Sequence, residues 1–93
     1  MNISKTTINF ARKRGLDITV EDIGDKVLLC VWEIENDCEW LFSYRIDGEF
    51  LHFNRNVYLA QSAKEELPAT VFDEKQLRKV IDFVASELNS TNC

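Results

Sequence analysis

Apolar residues alternate with polar ones through Leu16, Ile18 and Val20, and the same period of two returns at Leu28, Cys30, Trp32 and Ile34. Such alternation marks β-strands that turn one face to a core. The first strand is predicted over 16–21, ended by a turn over 22–25 that contains Gly24. The second, "KVLLCVWEIE", is also apolar at Val27, Leu29 and Val31, which predicts a central strand at least partly covered on both faces.

Two further strands, "CEWLFSYRI" and "EFLHF", flank Asp47-Gly48. Asp-Gly is a strong hairpin signal, because a type I′ turn needs positive φ at both central positions. That turn sets Ile46 opposite Glu49, Tyr44 opposite Leu51, Phe42 opposite Phe53 and Trp40 opposite Arg55 on one side. Arg45/Phe50, Ser43/His52 and Leu41/Asn54 then fall on the other. Trp40, Phe42, Tyr44 and Phe53 are expected to share a face as core, where aromatic cross-strand pairs stabilise a meander without any ligand.

Helical signals flank the strands. Ser4 can cap a helix over Lys5 to Arg14, with Gly15 as its left-handed stop and Leu16 as the apolar contact that follows. Asp73 reads as an N-cap, Gln76 completes a capping box and Phe72 with Leu77 forms a staple, which predicts a helix from Glu74 to about Leu88. Its apolar stripe is Leu77, Val80, Ile81, Val84 and Leu88, with Phe83 off the stripe as a rim residue or a contact for another chain. Residues 54–72 fit either a strand to about Leu59 followed by a loop or helical turn, or a short helix capped by Asn56 and stopped before Pro68. The strand is the favoured reading. The fold class expected is α+β: one domain over 1–93, an antiparallel β-meander of about four strands with an N-terminal and a C-terminal α-helix.

Composition narrows the function classes. With 93 residues, 45% apolar and 29% charged, a single globular domain needs most of its apolar positions for the core. No apolar run is long enough to cross a bilayer, and the N-terminal stretch lacks the order of a signal peptide, so a cytoplasmic location without membrane contact is expected. Three cysteines without a CxxC pair fit free thiols better than a disulfide frame. A net charge of −5 disfavours direct nucleic-acid binding, which relies on Lys and Arg. The dense basic cluster, Arg12-Lys13-Arg14, falls where a helix ends and cations meet its dipole favourably.

Catalytic apparatus is not visible. His52, the single histidine, is the one imidazole available as a general base, with Cys30, Cys38 and Ser43 as neighbouring nucleophile candidates. A hydroxyl and an imidazole facing each other across a hairpin is nevertheless a common surface pairing. No phosphate loop, HExxH or EF-hand spacing occurs, and no cofactor or metal is predicted.

The sharpest feature is the row of carboxylates Glu33, Glu35, Asp37 and Glu39 at every second position. On a regular strand they would project together, roughly 6.6–7 Å apart. A hard cation could take such oxygens, though no calcium loop is present. A turn at Asn36-Asp37 would instead make the row a solvated hairpin tip, which can still touch a partner. Size, charge and lack of machinery are similar to those of bacterial toxin-immunity proteins and phage anti-CRISPR inhibitors, a likeness of general type that rests on no motif. The function expected is a small acidic, non-enzymatic protein-binding module that occupies a basic surface of a target protein, with Glu33, Glu35, Asp37 and Glu39 as electrostatic contacts and Trp32, Phe50 and His52 as apolar anchors. The alternative is an assembly subunit that forms a homodimer through the second sheet face, packing Val27, Leu29, Val31, Leu41 and Phe50 against their symmetry mates.

Overall fold

The computed structural model describes residues 3–34, 40–57 and 59–91. In chain order the elements are α1 (Lys5–Arg12), β1 (Leu16–Asp22), β2 (Val27–Glu33), β3 (Phe42–Asp47), β4 (Phe50–Asn56), α2 (Gln61–Glu65), β5 (Thr70–Val71) and α3 (Glu74–Thr91). The strands form one antiparallel sheet in the order β1-β2-β3-β4-β5. This is the expected α+β meander with a helix at each end, enlarged by a fifth strand.

Local chemistry sets the helix ends. Ser4 accepts from the Thr7 N–H at 3.4 Å to start α1, and Gly15, at φ +82°, turns the chain out of the helix into β1. The α3 capping box forms as expected: Asp73 accepts from the Gln76 N–H at 2.8 Å, and Gln76 Oε1 accepts from the Phe72 N–H at 2.9 Å. Phe72 stays 60% exposed and its ring meets Phe50 edge-on at 5.6 Å, while Leu77 is fully buried.

The hairpin register differs from the expected one. Asp47 pairs with Phe50, Ile46 with Leu51, Arg45 with His52 and Tyr44 with Phe53, so Gly48 and Glu49 form the loop. Only Gly48 has positive φ there, which fits a II′ turn with glycine first rather than the I′ turn centred on Asp47-Gly48. A two-position slide leaves the faces unchanged, because side chains alternate with period two. An irregularity at Ser43/Tyr44 then shifts the partners to Ser43/Arg55 and Phe42/Asn56, the signature of an extra residue in β4.

One face of the sheet carries the core. Leu16, Ile18, Leu29, Val31, Phe42, Tyr44, Leu51 and Val71 meet Ala11 of α1 and Leu77, Val80, Ile81, Val84 and Ala85 of α3. Rings pack edge-on within it, Phe42 on Tyr44 at 6.0 Å and Tyr44 on Phe53 at 5.4 Å, and Phe83 lies at its rim. Trp40 departs from this set. It precedes β3 and packs against Trp32 on the opposite face, with ring centroids 5.8 Å apart.

The helices are tied to each other as well as to the sheet. Ser4 donates through its backbone N–H and hydroxyl to the Glu74 carboxylate, Arg78 Nη1 donates to Thr7 Oγ1 at 3.1 Å, and Arg14 pairs with Asp82 at 2.9 Å. Both therefore lie on the same face. This corrects the dimer packing expected from the sequence: Leu29, Val31 and Leu41 are buried in the chain's own core, and of that set only Phe50 lies on the other face. The 54–72 stretch follows the favoured order of strand, loop and helical turn, with a shorter strand. The strand stops at Asn56, α2 begins at Gln61 with Ala60 as its N-cap, and Asn56 instead holds Leu59 by two hydrogen bonds of 2.9 and 3.0 Å.

Candidate functional site

The helix-free face is built from alternate residues of each strand: Thr19 of β1, Leu28, Cys30 and Trp32 of β2, Ser43 and Arg45 of β3, and Phe50 and His52 of β4. Its middle is closed by its own side chains. Ser43 is fully buried, its hydroxyl accepting from Asn54 Nδ2 at 3.0 Å, while Lys26 reaches across to Asn54 Oδ1 at 3.3 Å. Cys30, the cross-strand partner of Ser43, is also fully buried. Burial, with a smaller contribution from the Glu21 charge, pushes its thiol up to about 11, so it is protonated and unreactive at neutral pH.

Ser43 does not face His52 as expected; it lies across from Cys30 and Arg55. His52 faces Arg45 instead. Its Nδ1 is 3.3 Å from Thr70 Oγ1 and its Nε2 is 3.4 Å from Asp47 Oδ2. The nucleophile–base pair that hydrolytic chemistry would require is not assembled from these two residues.

The expected binding residues separate into two places. Trp32 and Glu33 join Asp17, Thr19 and Ile34 around a shallow depression of about 320 Å³ at the C-terminal end of β2. The indole there is fixed: Trp32 Nε1 donates to Thr19 Oγ1 at 2.7 Å, and Trp40 stands against it at an interplanar angle of 80°. Ile34 is 49% exposed at the rim. Asp17 is oriented by two donors, its own strand's Ile18 N–H at 3.0 Å and Arg12 Nε at 3.3 Å.

Phe50 and His52 occupy the other end of the face, beside the exposed Phe72. His52 stands in one row with Arg45 and Leu28, and Trp32 is four residues further along the strand. With a rise of ~3.4 Å per residue and a strand spacing of ~4.8 Å, the two groups are about 17 Å apart. They do not form one patch. The carboxylates Glu35, Asp37 and Glu39, the turn at Asn36-Asp37, and Cys38 and Cys93 lie outside the described residues.

The basic cluster behaves as an end-of-helix feature. Arg12 pairs with Asp17, and Arg14 donates to the Phe10 carbonyl at 3.1 Å, stacks over the Phe10 ring at 3.6 Å and bridges to Asp82. Asp17 and Thr19 were missed as site residues. The signal that would have found them is the β1/β2 register, which sets Asp17 opposite Trp32.

The geometry defines a class, a small α+β domain whose meander is packed by helices on one face and left aromatic and charged on the other. Compared with protein-family models, with curated proteins and with solved structures, the chain gives no match. No helix among the described residues is long and apolar enough to cross a membrane.

Proposed function

We propose that this chain is a small acidic, non-enzymatic protein-binding module that acts in the cytoplasm by occupying a basic surface of a target protein, in the general manner of toxin-immunity and anti-CRISPR inhibitors. The observation that carries this reading is the end of β2. There Trp32, Glu33, Asp17 and the exposed Ile34 surround one depression, and the chain runs directly on to Glu35, Asp37 and Glu39. An apolar centre beside a run of like charge suits recognition of an opposite charge, with steering from a net charge of −5.

The test is capture of the target from native cytoplasm by the wild type and by a variant carrying Glu33→Lys, Glu35→Lys, Asp37→Lys and Glu39→Lys. A protein retained by the wild type, released by salt and absent from the variant supports the reading. Equal retention by both rejects it.

Assembly into a homodimer is a second reading, favoured by one observation. Phe50 and Phe72 form an edge-on pair with 44% and 60% of their surfaces exposed. A thermal midpoint that rises with protein concentration and ignores salt would support it; a sedimenting monomer at all concentrations would reject it.

A further inference from the structure

We propose that the outer edge of β1 is a further docking surface, on which an extended segment of a partner protein, alternating basic and apolar residues, adds a strand to the sheet. β1 ends the strand order β1-β2-β3-β4-β5 and is seven residues long, whereas β5 at the opposite edge has only two. A long terminal strand presents a row of backbone N–H and C=O groups that no neighbouring strand bonds.

The register says which groups these are. The Ile34 N–H donates to the Gly15 carbonyl at 3.0 Å and the Ile23 N–H to the Lys26 carbonyl at 3.0 Å, one just before β1 and one just after it. Between them β1 and β2 pair without a break, and the bonded pairs of an antiparallel ladder recur at every second residue. Asp17, Thr19 and Glu21 therefore bond to β2, while Leu16, Ile18, Val20 and Asp22 turn their N–H and C=O groups outward. Ile18 agrees with this assignment, since its N–H meets the carboxylate of Asp17 at 3.0 Å.

The chain shields only the first half of this edge. Asp17 Oδ1, which covers the Ile18 N–H, is itself held by Arg12 Nε at 3.3 Å. Further along, no group among the described residues bonds the outward N–H or C=O of Val20, and the Val20 side chain is 52% exposed although Ile18 on the same face is buried. An unpaired edge of this kind takes an extended segment through main-chain bonds, and alternate side chains supply selectivity.

Those side chains choose the occupant. Val20 and Ile23 are exposed apolar residues, whereas Glu21 and Asp22 make no ion pair among the described residues. Val20 and Glu21 project to opposite faces, so an added strand sets an apolar residue beside Val20 and a Lys or Arg beside Glu21, in alternation. A second copy of this chain fits poorly, because pairing two β1 edges brings the Glu21 and Asp22 carboxylates of both copies together. Val20 lies opposite Leu29, away from the Asp17–Trp32 pair, so this edge goes beyond the binding reading above and the two contacts stand or fall separately.

The test is titration of the ¹⁵N-labelled full chain with three capped heptapeptides: alternating Lys-Val, the same peptide N-methylated at its valines, which face Val20 in the proposed pairing, and alternating Glu-Val. The Lys-Val peptide is expected to shift the Val20, Glu21 and Asp22 amides saturably, to slow hydrogen exchange at the Val20 N–H, and to bind roughly tenfold more tightly than its N-methylated form, the worth of one to two net hydrogen bonds. The Glu-Val peptide should leave those amides unmoved. Val20→Pro, tolerated on an edge where the N–H faces solvent, should abolish binding, and Glu21→Lys, which spares the backbone, should weaken the Lys-Val peptide. Equal affinities for the plain and N-methylated peptides, or unmoved Val20 and Asp22 amides, overturn strand addition. Protection of Val20 that grows with protein concentration alone also overturns it, by giving the edge to a second copy. None of these outcomes touches the acidic-edge reading, which falls only if the charge-reversed chain still captures its target.

Discussion

Tyr44→Phe removes one oxygen from the centre of the core. Tyr44 is fully buried on β3, and its hydroxyl donates to the Pro68 carbonyl at 2.7 Å. That bond ties the connection between α2 and β5 down to the middle of the sheet, next to Phe53 N–H, which donates to the Ala69 carbonyl at 2.8 Å. An exchanged hydrogen bond contributes about 1 kcal/mol, and a buried acceptor left alone costs about 1–3 kcal/mol. Pro68 is half-buried, so water can reach its carbonyl in the variant and the lower part of that range applies, about 1–2 kcal/mol in total. For a domain of this size the thermal midpoint should fall by roughly 5–12 °C. Thermal unfolding followed by circular dichroism, with urea unfolding to confirm an unchanged slope, measures it. Target capture should persist in the variant, because Tyr44 faces the helices rather than the proposed binding surface. A midpoint within about 2 °C of the wild type would refute the assignment of this bond as a tie, and loss of binding in a folded variant would refute the separation of core face from working face.

Gly48→Ala should cost about 1–2 kcal/mol in urea unfolding: φ at that position is +59° and an added Cβ meets nothing within 4 Å, so the whole penalty is backbone strain at the β3/β4 loop. Asp73→Ala should cost about 1 kcal/mol by opening the capping box on α3, with amide exchange rising first at Gln76. Cys30 should resist thiol reagents in the native chain at neutral pH. Its folded pKa is raised from 9.0 to about 11, so above pH 9 the unfolded chain binds fewer protons than the folded one, and stability should fall as pH rises from about 9 to about 11. Subtracting the profile of Cys30→Ala isolates that contribution from ionisation of Tyr44, whose hydroxyl burial also pushes up.

Features governed by neighbours in the chain were legible in the sequence, and those governed by distant contacts were not. The caps at Ser4 and Asp73, the stop at Gly15 and the faces of the four longer strands follow from local hydrogen bonds and period-two patterning. Asp47-Gly48 marked the hairpin correctly, but the choice between I′ and II′ geometry depends on whether Asp47 takes positive φ, and pairing of Asp47 with Phe50 decided that. β5 is two residues long, too short for any periodic signal, and is held by Tyr44, Phe53 and Leu51 from elsewhere in the chain. Trp40 left the core face because Leu41 N–H bonds to the Val31 carbonyl at 2.7 Å just before β3 begins, a long-range bond that precedes regular pairing. Of the candidate site, Trp32 and Glu33 were legible as an aromatic beside a carboxylate row. Joining them to Asp17 and Thr19 required the β1/β2 register, and separating them from Phe50 and His52 required the pairing of three strands.

The most direct measurement is the map of amide and indole signals that change when the ¹⁵N-labelled chain binds its captured target. Changes centred on Asp17, Thr19 and residues 32–40, with Phe50, His52 and Phe72 unmoved, are what an acidic binding edge at the end of β2 requires. Changes centred on the Phe50–Phe72 end, with Trp32 and Glu33 silent, would place the contact at the wrong end of the sheet.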